Sequence, residues 1–102
     1  MFELLAYQLT REGTLETVSP PFLEFLVSKN VLVFYSPKMK HLYIWIGRNA
    51  SQTVKSNIAN IQGRLLQLHP GLTFLRQITI EDGDEPFLFL ELLKLSKDEI
   101  QK

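Results

Sequence analysis

The 102-residue sequence contains no cysteine, which excludes disulfide staples, thiolate metal sites and a cysteine nucleophile. Histidine is scarce as well: only His41 and His69 are present, and neither has a carboxylate or the other histidine at the spacing of a helical metal site. There is no excess charge of either sign, because eleven basic residues balance eleven acidic ones. No net field gathers phosphate backbone or anionic lipid, so nucleic acid is not an expected partner. Long apolar runs are also missing, since Lys29, Lys38, Lys40, Arg48 and Lys55 interrupt every stretch that approaches the ~18 residues of a membrane span. Met1, Phe2 and Glu3 do not open a basic leader followed by an apolar run, so export is not expected and a cytoplasmic location is. No nucleophile elbow, phosphate-binding glycine loop or dinucleotide fingerprint occurs. With no acid, base and nucleophile to name together, the chain is not read as an enzyme.

What is present suffices for a packed interior: 45% of residues are hydrophobic, among them seven Phe, three Tyr and one Trp. At this length the chain reads as one domain spanning 1–102, with a core over about 4–95 and a charged, frayed tail at 96–102. Leu4 to Leu9 and Thr14 to Val18 read as strands about a turn at Gly13, the second one at the sheet edge. Ser19-Pro20-Pro21 cannot continue a ladder, and Phe22 to Leu26 follows as a short apolar link. The runs VLVFY at Val31 to Tyr35 and HLYIWI at His41 to Ile46 are too short for helices and predict a central hairpin buried on both faces.

Ser51 is an N-cap residue, and Val54, Ile58, Ile61, Leu65 and Leu68 recur at spacings of four and three. That stripe predicts one helix of about five turns, ended by His69-Pro70-Gly71. Leu72, Phe74, Ile78 and Ile80 alternate with Thr73, Leu75, Gln77 and Thr79, with Arg76 the one polar member on the apolar face, and predict a further strand. Asp84 or Glu85 then caps a second, shorter helix from Phe87 to about Leu95, with Pro86 in its first turn. The expected fold is α/β (α+β): a central mixed sheet of five to six strands between one long helix and one shorter helix.

Several of these words resemble the gelsolin, severin and villin family. Leu42-Tyr43-Ile44-Trp45-Ile46-Gly47-Arg48-Asn49-Ala50-Ser51 is similar to the family's apolar strand, Trp-x-Gly step and Ser-capped helix. Glu81-Asp82-Gly83-Asp84-Glu85-Pro86-Phe87 resembles its acidic turn, Glu-Pro and aromatic helix start, and the likeness runs from about Leu4 to Leu93. Read without the resemblance, Tyr43 and Trp45 are core residues on one strand face, Gly47 ends that strand, and the acidic residues are a solvated turn capping a helix.

The resemblance implies a gelsolin-like domain that binds actin or an actin-like protein through its long helix. The alternative it implies is a structural module of a vesicle coat or other assembly that binds neither actin nor calcium. Opposite the apolar stripe lie Gln52, Ser56, Ala59, Asn60, Gly63, Leu66 and Gln67, an uncharged face with Lys55 and Arg64 on its flanks. These seven are the candidate actin-interface residues. Many family members hold calcium with an acidic residue before the central strand and a glutamate in the long helix. Asn30 and Val54 stand at those positions, and Ser36 replaces the aspartate at the end of the central strand, so neither that calcium site nor any other cofactor is expected. The second helix carries more apolar side chains than one sheet face needs, so it too is a candidate contact.

Overall fold

The structure, a computed structural model, describes residues 4–19 and 22–93. The expected frayed tail, the end of the last helix at Leu95 and the two prolines at 20 and 21 lie outside the described residues. Five strands form one sheet: β1 (Leu5–Leu9), β2 (Leu15–Thr17), β3 (Val31–Ser36), β4 (His41–Ile46) and β5 (Arg76–Glu81). Their order is β2-β1-β3-β4-β5; the first four are mutually antiparallel, and β5 runs parallel to β4. A parallel pair needs a long crossover. The helical segment between β4 and β5 supplies it: α1 (Gln52–Lys55), a 3-10 turn (Ile58–Asn60) and α2 (Ile61–Leu68). The last helix, α3 (Phe87–Leu93), packs on the other sheet face with a 3-10 turn at Phe22–Phe25.

The alternation inside the two central strands divides the interior into two layers. Val31, Val33 and Tyr35 of β3 and Leu42 and Ile44 of β4 point to the crossover, where Val54, Ile61 and Leu65 meet them. Leu32 and Phe34 of β3 and Tyr43 and Trp45 of β4 point to α3, where Phe89, Leu90 and Leu93 meet them. Every residue of β3 is buried, because this strand lies mid-sheet with a layer on each side. The edge-to-face contacts of Phe34 with Phe22 and Phe89 bind the α3 layer, with ring centroids 5.4 and 5.6 Å apart.

Three expectations need correcting. The crossover is not one continuous helix, for reasons given with the site below. Leu68, expected in the buried stripe, is 51% exposed, because α2 ends there and the chain turns away. The strand expected from Leu72 starts only at Arg76: Leu72 and Phe74 pack against the crossover layer, whereas Ile78 and Ile80 pack against the α3 layer. The alternation therefore belongs to two segments facing opposite layers, not to one strand.

Candidate protein-binding surface

The crossover begins as its sequence dictates, with the Val54 amide donating to Ser51 Oγ at 3.2 Å as an N-cap. It breaks one turn later. Ser56 Oγ and Asn57 Nδ2 both donate to the Thr53 carbonyl, at 2.7 and 3.2 Å. That carbonyl is the acceptor an unbroken α-helix would give to the Asn57 amide. With it occupied, the Asn57 amide bonds instead to the Val54 carbonyl at 3.0 Å, three residues back, and the chain tightens into the 3-10 turn. Asn57 Nδ2 also donates to the Arg11 carbonyl at 3.1 Å, fastening the break to the β1–β2 turn. At the far end the His69 amide donates to Leu65 O, and the His69 ring bonds the Tyr7 hydroxyl, so the crossover is tied at its break to the β1–β2 turn and at its far end to β1. Burial pushes the Tyr7 phenol above its usual range.

The break does not bury the seven candidate residues. Gln52, Ser56, Ala59, Asn60, Gly63, Leu66 and Gln67 are all exposed, and Val54, Ile61 and Leu65 are buried beneath them. Lys55 is half-buried and Arg64 exposed, its guanidinium 3.5 Å from Gln67 Oε1. Among the described residues, a Cβ built on Gly63 would meet nothing within 4 Å, so no contact there requires glycine. Leu66 adds a large apolar side chain to the face, 40% exposed.

Asn30 and Val54 come together with Gln8, Ser51 and Lys29 around a shallow depression beside the N-terminus of α1. Asn30 Nδ2 donates to Phe25 O at 2.8 Å, and its Oδ1 accepts from Gln8 Nε2 at 3.3 Å. Val54 turns its aliphatic side chain into the core. Among the described residues, no group of three or more His, Asp or Glu is arranged to hold a metal ion. Ser36, at the end of β3, is fully buried, and its hydroxyl lies 3.4 Å from the Met39 amide.

The acidic turn differs from a solvated cap. Glu85 is buried, and its Oε2 accepts from the Trp45 indole at 2.9 Å and from the Gly83 amide at 3.2 Å. Its Oε1 has no hydrogen-bond partner among the described residues. Asp82 accepts from the Arg48 amide and lies 3.4 Å from its guanidinium. Two sequence words forty positions apart are thus one construction. The acidic turn closes over the end of β4, holds the indole on the α3 side and positions the start of α3. Gly47 completes it: its amide donates to Asn30 O, and a Cβ there would stand 2.1 Å from the Ser28 carbonyl oxygen. No spacing rule links Trp45 to Glu85; the Glu-Pro step before the aromatic helix start was the only sequence signal.

On the α3 side, Phe87 and Leu88 stand 71% and 74% exposed in the first turn of the helix. Burial raises the Tyr43 phenol above its usual range, with Arg76 nearby acting in the opposite direction.

Neither a protein-family profile nor a curated protein matches the sequence. Solved structures do. Thorarchaeota ProGel, solved in complex with rabbit actin, is similar at 24% identity with a TM-score of 0.69, over 89% of this chain and 99% of that one. Thorarchaeota 2DGel3, also solved with rabbit actin, is similar at 22% identity with a TM-score of 0.65, over 88% of this chain; the chain spans 42% of its length. At these identities the likeness concerns the fold, and it agrees with the mixed five-stranded sheet and its helices. The chain has the fold of a gelsolin-like domain.

Proposed function

We propose that the chain is an actin-binding module of the cytoplasm that modulates filament assembly by capping, sequestering or severing, and that it docks through the outward face of the crossover. The observation that carries this reading is the set of seven exposed positions without one charge, with a glycine among them that no contact among the described residues calls for. Surface helices ordinarily present Lys and Glu, whose desolvation opposes docking; small uncharged residues remove that opposition and let a partner's backbone approach. The complexes of ProGel and 2DGel3 with rabbit actin supply the partner class. Lys55 and Arg64 sit at the flanks, where charge steers encounter without being stripped of water.

Calcium does not control this module. The two familial positions offer an amide already engaged with Gln8 and Phe25 and an aliphatic side chain, whereas calcium takes several carboxylate or carbonyl oxygens. Action is by binding, with no chemical step.

Co-sedimentation with actin filaments and a fluorescence polymerisation assay test the reading, each with calcium and with a chelator. The chain should alter filament assembly equally in both conditions, with a melting temperature that calcium leaves unchanged. Ala59→Glu and Gly63→Glu, both at exposed positions, should weaken the effect at least about tenfold while leaving the fold intact. Unchanged actin assembly with both variants would remove the crossover face from the interface, and no effect of the wild-type chain would remove actin.

A further inference from the structure

The sheet face opposite the crossover is only partly covered by α3. Between α3 and the start of β4 and β5 lies an open groove of about 530 Å³, with Tyr43 and Ile78 on its floor and Leu88 and Leu92 along its helical wall. Its two sides carry opposite charges: Arg76 on β5 and Glu91 on α3. Both are exposed, and among the described residues neither is in an ion pair. Leu88 projects from the helical wall, Phe87 stands beside it, and Met39 at the groove's end is 43% exposed. At about 200 Å² for a large side chain, the two of these that line the groove, Leu88 and Met39, expose roughly 230 Å² of mainly apolar surface, and patches of a few hundred Å² serve partners.

We propose that this groove is the contact between two copies of the chain, related by a two-fold axis, with Leu88 of each entering the groove of the other and Arg76 of each meeting the other copy's Glu91. The charge arrangement selects this occupant. A segment of one charge sign would be attracted to one side of the groove and repelled by the other. A second copy rotated by a dyad presents a carboxylate to each guanidinium and a guanidinium to each carboxylate, the self-complementarity that a two-fold interface demands. Knob and hole lie on the same patch, so the apolar contact is made twice by one operation. The balanced total charge adds no long-range repulsion between copies. The patch is smaller than the ~800 Å² per partner of a tight complex, so the dimer forms at micromolar rather than nanomolar concentration. It lies on the sheet face away from the crossover, so dimerisation and the docking surface above are tested independently.

Sedimentation equilibrium of the full chain over about 1 µM to 1 mM decides the matter. The mass should rise from one chain to two across that range. Arg76→Glu and Glu91→Arg should each weaken association at least about tenfold, and the double charge swap should restore it to within about threefold of wild type. Leu88→Asp should abolish it. All three positions are exposed, and circular dichroism melting of each variant distinguishes lost association from lost folding. A single-chain mass throughout overturns the proposal, as does a double swap no better than its single variants.

Discussion

Gly47 and Gly63 have opposite reasons to be glycine. At Gly47 the obstacle is backbone: the Ser28 carbonyl would lie 2.1 Å from an added Cβ, and the Asn30 carbonyl 2.8 Å. Backbone held by ladder and turn hydrogen bonds cannot step aside as a flexible side chain does. Gly47→Ala should therefore cost about 3 kcal/mol or more in a denaturant titration. Gly63 meets nothing, and its place inside α2 favours alanine, so Gly63→Ala should stabilise the chain by about 0.5–1 kcal/mol in the same titration. Opposite signs are expected from one substitution type, and a destabilising Gly63→Ala would mean an intramolecular role for that glycine. Trp45 poses the third residue-scale question. Trp45→Phe keeps most of the apolar area but removes the indole donor, leaving the buried Glu85 carboxylate with the Gly83 amide alone. Thermal melting should show a loss of about 2–4 kcal/mol, larger than an aromatic exchange without a polar partner would give.

At the scale of elements, the crossover separates what local sequence determines from what it does not. Leu65 and Leu68 sit at equivalent positions in the apolar stripe, yet Leu65 is fully buried and Leu68 is 51% exposed. Leu65→Ala should cost about 2–5 kcal/mol, whereas Leu68→Lys should stay within about 0.5 kcal/mol of wild type, both by chemical denaturation. Periodicity made the crossover and the buried hairpin legible, because a helical or extended period fixes which side chains share a side. It did not reveal the break at Ser56 and Asn57, since two polar residues in mid-helix ordinarily face water. Both instead donate to the Thr53 carbonyl, and Asn57 also reaches the Arg11 carbonyl on the β1–β2 turn, a contact set by tertiary packing. The joint between Trp45 and Glu85 escaped for the same reason: an acidic residue before a helix reads as a cap until the sheet brings an indole to it. The start of β5 was misplaced because Leu72 and Phe74 are apolar for the crossover layer while Ile78 and Ile80 are apolar for the α3 layer, and alternation cannot tell one strand from two segments.

Across the whole molecule, the two layers share the central sheet, and each buries a phenol against it: Tyr7 on the crossover side and Tyr43 on the α3 side. Burial raises both above the ordinary tyrosine value of 10.0, and Arg76 offsets part of the rise at Tyr43. A raised folded-state value means that, between about pH 10 and the raised value, the folded chain holds protons that the unfolded chain has released. The stability these groups contribute is therefore complete below about pH 10 and is lost as pH climbs through the raised values. Because Tyr7 also bonds the His69 ring at the end of α2, ionising it introduces a buried negative charge where the crossover is fastened to β1. Ionising Tyr43 does the same beneath the α3 layer, where its ring packs against Phe89 at 5.9 Å between centroids. Denaturation midpoints should accordingly fall from about pH 10 upward. Tyr7→Phe and Tyr43→Phe should each lower stability at neutral pH through the lost hydroxyl contact yet flatten the alkaline decline, and the double variant should flatten it most. A decline of equal steepness in the double variant would assign the alkaline sensitivity to groups other than these two phenols.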